Sequence, residues 1–76
     1  LVVEVVSPSD TFTEVSEKVD DWLRAGVRLV WVVDLQGRKV YIHRAGQPVR
    51  VLTEDEALSG EDVLPGFECR VGEIFE

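Results

Sequence analysis

Glu4 is the residue most in need of a chemical explanation, because it stands alone among Leu1, Val2, Val3, Val5 and Val6. The segment Val2 to Val6 is β-branched apart from that one carboxylate, which is the composition of a buried strand. A charge buried in such a strand costs several kcal/mol unless it is paired, binds a metal, or lies at an exposed edge. Two readings follow. Glu4 sits on a half-wet face, since strand side chains alternate, or it is an acid retained for its chemistry. Lys18 is the natural cationic partner for it.

These two groups have to be positioned by a strand and the helix after it. Ser7-Pro8-Ser9-Asp10 breaks the strand, because proline withdraws a backbone donor and Ser and Asp favour turns. Thr11 and Glu14 have the spacing of a capping box, which sets a helix start near residue 12. Phe12, Val15, Val19, Trp22 and Leu23 then form one apolar helical face. With Val15 at the origin and about 100° per residue, Trp22 falls near 340° and Lys18 near 300°. Lys18 is therefore a rim residue whose long stem can follow the packing surface toward Glu4, or snorkel into solvent. Ala25-Gly26 ends the helix in the left-handed manner.

Leu29-Val30-Trp31-Val32-Val33 reads as a central strand, and strand, helix, strand at this spacing implies a parallel crossover. Asp34-Leu35-Gln36-Gly37 turns the chain into Val40–His43, expected to return antiparallel. Ala45-Gly46-Gln47-Pro48 turns it again into a short strand, Val49 to Leu52. Glu54 to Asp62 is expected to be an acidic loop, with a helical turn at Asp55 to Leu58. Leu64-Pro65-Gly66-Phe67 leads to a short edge strand, and Val71 to Phe75 closes as a helical turn. The fold class is thus α/β with a mixed sheet.

The 76 residues allow one domain, expected over 1–76, and 45% hydrophobic content excludes a disordered chain. No apolar run approaches the roughly 18 residues needed for a bilayer span, and no signal-peptide pattern is visible. Lone Cys69 has no partner for an internal disulfide, which fits a reducing cytoplasm. The net charge of −7 argues against loose nucleic-acid binding. Residues 28–50, with five basic groups and one acidic, are the one stretch suited to phosphates; an ordinary solvated hairpin is the alternative.

Other candidates carry less. Ser7 is a possible neighbour of the site, although a serine before proline ordinarily just ends a strand. His43 has no second metal ligand in view and is expected to face solvent on the hairpin. Cys69 reads as a small core or edge residue, Trp22 and Trp31 as core, and Asp34 as an acceptor in its turn.

Taken together, Glu4-Val5-Val6-Ser7-Pro8-Ser9-Asp10, Lys18, Gly26-Val27 and Trp31-Val32-Val33-Asp34 resemble the Uma-type restriction endonuclease family, which is similar to the PD-(D/E)xK nuclease superfamily. The pattern continues through Val40-Tyr41 and Leu64-Pro65-Gly66-Phe67 to the Val71–Phe75 end, covering nearly the whole chain. The resemblance implies a restriction-endonuclease-like fold and Mg²⁺-dependent hydrolysis of DNA. It implies that Glu4 binds Mg²⁺ and that Lys18 orients the attacking water and stabilises charge on the phosphate. Val6 stands where the strand lysine would be, and the resemblance implies that Lys18, on the following helix, supplies it instead.

The family's other metal-binding acids lie on earlier strands, with no counterpart in this sequence. The expectation is therefore a truncated domain, the C-terminal half of the nuclease fold, that does not cleave nucleic acid by itself. The rival expectation is a noncatalytic interaction or dimerisation module, with a structural Glu4–Lys18 ion pair and homo-oligomer contacts through the first strand or the hairpin.

Overall fold

The computed structural model describes all 76 residues. Strand β1 (Val2–Val6) leads into helix α1 (Phe12–Arg24) and then strand β2 (Val30–Asp34), which pairs parallel with β1. Strands β3 (Lys39–His43) and β4 (Arg50–Leu52) follow antiparallel, so the main sheet runs β1-β2-β3-β4. Strands β5 (Ala57–Ser59) and β6 (Glu68–Arg70) form a second, antiparallel pair, and a one-turn helix α2 (Val71–Ile74) follows. The α/β mixed sheet, the parallel crossover and the returning hairpin agree with the sequence expectation.

Local chemistry explains these boundaries. Thr11 caps α1 by accepting from the Glu14 N–H at 3.1 Å, and its hydroxyl also donates to the Glu14 carboxylate at 3.0 Å. Gly26, at φ +98°, follows the helix in the left-handed region, and its N–H bonds the Leu23 carbonyl at 3.1 Å. Asp34 accepts from the Gly37 N–H at 3.0 Å, which closes the β2–β3 turn as expected.

At β2 the main sheet is covered on both faces, by different parts of the chain. On one face, Val19 of α1 packs on Val30 and Val32, joined by Val2, Val6, Val15, Leu23 and Tyr41. On the other, Leu29, Trp31, Val33, Val40, Ile42 and Leu52 meet Leu58 of β5 and Val71 of α2. This double cover is why β2 is apolar at successive positions instead of alternating.

The acidic stretch departs from expectation. Ala57 to Ser59 is a strand, not part of a helical turn, because Leu58 must enter the far-face core while Ala57 and Ser59 point out. The basic hairpin is also not free for phosphates. Arg28 pairs with Asp62, Arg38 with Glu54 and Arg44 with Glu61, so three of its cations hold the acidic C-terminal segment. The Arg44 pair is bidentate and half-buried, with contacts of 2.6 to 3.0 Å.

Candidate active site

Alternation along β1 places Val2, Glu4 and Val6 on the side facing α1, where the two valines join the helix-side cluster. Glu4 is aligned with Val32 of β2 in the parallel register. It is half-buried, at the sheet's edge strand, since β1 pairs only with β2. The edge position removes most of the desolvation cost that a central strand would impose.

The Glu4 carboxylate is held by an aromatic donor. The Trp22 indole N–H donates to Glu4 Oε1 at 2.8 Å, linking the middle of β1 to the last turns of α1. No ion pair joins Glu4 to Lys18: the chain's pairs are the three above and Arg70–Glu76. The expected structural Glu4–Lys18 pair is thus replaced by a neutral hydrogen bond. Trp22, expected in the core, is 40% exposed, because its ring lies on the helix rim above the strand edge.

Lys18 is exposed and one helical turn before Trp22, so both leave α1 on the same flank. Its ammonium is felt at Asp10, in the loop that leaves β1. The Asp10 carboxyl is held below its ordinary range mainly by the backbone N–H and hydroxyl of Ser7, with the Lys18 charge adding to the effect. Ser7 is committed to this turn: its N–H donates to Asp10 Oδ2 at 2.9 Å, and its hydroxyl meets that of Ser9 at 3.1 Å. Lys18 and Ser7 thus both act on Asp10, in the exit loop of β1, whereas Glu4 meets Trp22, one helical turn from Lys18. Trp22 and Asp10 are the neighbours that sequence reasoning missed. The signal for Trp22 was its wheel position, between the apolar centre and Lys18.

A divalent cation can be tested against these donors. Glu4 offers hard carboxylate oxygens, with Oε1 engaged by a neutral donor, which suits one ligand of a hydrated Mg²⁺. No group of three His, Cys, Asp or Glu side chains gathers anywhere in the chain. The chain thus offers a single such ligand, Glu4, and a cation held there would take its other ligands from outside these residues.

A groove of about 620 Å³ runs between α1 and the uncovered helix-side face of β3 and β4, lined by Phe12, Val15, Tyr41, His43 and Val51 among others. Neither Glu4 nor Lys18 reaches it, and its mainly apolar wall offers little for a phosphate. Phe12 lines it beside Val15 and Val19, on the apolar face of α1 as expected, yet is 87% exposed. His43 is half-buried in this groove and not simply solvent-facing; burial lowers its pKa, against the opposing charge of Asp20. Cys69 packs beside the far-face core, where burial and then Glu73 push its thiol pKa up, away from nucleophilic use. No helix is long and apolar enough to cross a membrane.

With this geometry in hand, the relatives can be compared. The model of the Uma2 family, described as "Putative restriction endonuclease", matches residues 1–72. Among solved structures, the chain superposes with TM-score 0.87 and 20% identity on a crystal structure described as "a putative nuclease belonging to DUF820" from Anabaena variabilis ATCC 29413. The alignment covers 96% of this chain and 41% of that one, and at this identity the likeness is one of fold. No curated protein matches the chain.

Proposed function

The chain belongs to the Uma2 restriction endonuclease family, and from that premise we propose that the whole protein hydrolyses DNA phosphodiester bonds with Mg²⁺. The observation that carries this reading is the orientation of Glu4, turned to the α1 side of the sheet with Oε1 engaged by the Trp22 indole. In the proposed roles, Glu4 is a metal ligand, and Lys18, on the same flank, presents its ammonium to the scissile phosphate. Mg²⁺ lowers the pKa of a bound water and stabilises charge in the transition state when bound. The ammonium of Lys18 adds preorganised charge stabilisation and can donate to a phosphate oxygen. The chain spans 41% of the similar nuclease, and in this reading the further metal ligands come from other segments of the whole protein.

A second reading is favoured by a different observation. Strand β1 has an unpaired edge, and Val3 and Val5 on its far face are 50% and 54% exposed. Such an edge suits strand addition by another copy, so a noncatalytic dimerisation module is the rival. Thermal melting separates the two. Addition of Mg²⁺ or Mn²⁺ is expected to raise the Tm of the whole protein and not that of its Glu4→Gln variant. Equal shifts in both proteins would remove the metal assignment and leave the module.

A further inference from the structure

We infer that Trp22 is a positioning residue, which fixes the Glu4 carboxylate for a divalent cation without neutralising it. The inference rests on the proposed metal-ligand role of Glu4 and adds a residue to it. The argument begins with charge. A lysine paired to Glu4 would offset its charge and compete with an incoming cation. The indole N–H is a donor only and carries no formal charge. It engages Oε1 at 2.8 Å, restricts rotation of the carboxylate, and leaves the full negative charge in place. Lys18, released from pairing, remains free for the phosphate.

Burial points the same way. Val19 and Leu23 anchor α1 to the sheet, whereas Trp22 is absent from both core clusters and 40% exposed. A large aromatic ring in that position contributes less by packing than it would inside. Its one polar bond, reaching from α1 to β1, is the specific interaction it makes. Trp31 supplies the contrast: it is buried in the far-face core and its indole N–H has no partner at all.

The test is nuclear magnetic resonance on ¹⁵N-labelled protein, with Trp31 as the internal control for the indole signals. The Trp22 indole proton is expected to move upfield in Glu4→Gln, which replaces the anionic acceptor with a neutral one, while that of Trp31 stays in place. Mn²⁺ is expected to broaden the Trp22 indole and the amides around Glu4 in the wild type, and much less in Glu4→Gln. In Trp22→Phe, the Mn²⁺ affinity read from the Glu4-flanking amides should fall about tenfold, and Trp22→Tyr, which keeps a distal donor, should recover most of that loss. Wild-type Mn²⁺ affinity in a folded Trp22→Phe overturns the positioning role and leaves the metal assignment standing. Broadening no greater in the wild type than in Glu4→Gln overturns the metal assignment, and this inference with it. If Trp22→Phe does not fold, the indole signal decides: a Trp22 indole proton unmoved in Glu4→Gln overturns the inference.

Discussion

Glutamine in place of Glu4 is expected to lower DNA cleavage by the whole protein at least about a hundredfold while leaving its fold intact. The substitution is nearly isosteric, and the amide oxygen still accepts from the Trp22 indole, so α1 stays docked on β1. What is lost is the anionic oxygen that a hard cation prefers. Methionine at Lys18 is expected to cost on the order of a hundredfold by a different route, removing charge from the phosphate and not from the metal. The two variants should part company in metal binding: Glu4→Gln loses it, Lys18→Met keeps it. Steady-state cleavage of a plasmid, read beside Mn²⁺ binding for each variant, checks both statements. Unchanged cleavage in Glu4→Gln would contradict the proposed role.

The second large effect is on stability. Leu58→Ala is expected to destabilise the chain by about 2–5 kcal/mol, lowering its Tm on the order of 10–30 °C. Leu58 is 1% exposed and is the residue through which β5 enters the far-face core. A chain of this length has roughly 4–11 kcal/mol of total stability, so one such loss is a large share of it. Removal also loosens the C-terminal segment, which is otherwise anchored in the same core through Val71 and by the ion pairs to the basic stretch. Val51→Ala, at a position 44% exposed, should cost well under half as much. Melting curves followed by circular dichroism test the comparison; equal losses at the two positions would contradict it.

The elements around Glu4 were legible because each carries a strong local signal. Valines mark β1 and β2, Thr11 and Glu14 cap α1, and Gly26 ends it. The β5 strand was not legible for a physical reason. Ala57-Leu58-Ser59 is too short to show a period, and its partner Glu68-Cys69-Arg70 lies beyond a long turn. Non-local pairing, not propensity, makes it a strand. The charge segregation of the sequence was visible, but its meaning was not. The hairpin arginines face the acidic stretch, and only the tertiary fold reveals that they meet Glu54, Glu61 and Asp62.

The candidate site divides in the same way. That Glu4 was out of place among valines could be read from composition alone, and its metal role was implied by family resemblance. Its bond to Trp22 could not be read so, because a wheel places Trp22 and Lys18 side by side on one flank. Strand register and side-chain reach decide which of them meets the carboxylate, and here the aromatic donor does.

The central claim, that a carboxylate on β1 and an amine from α1 serve one metal-dependent site, is tested most directly by crystallography of the whole protein with Mn²⁺ and a DNA duplex. The account predicts an anomalous peak within about 2.0–2.3 Å of a Glu4 carboxylate oxygen, with Lys18 Nζ in hydrogen-bond reach of the phosphate beside it. A peak held by other residues, or Lys18 turned away from the bound phosphate, would contradict it.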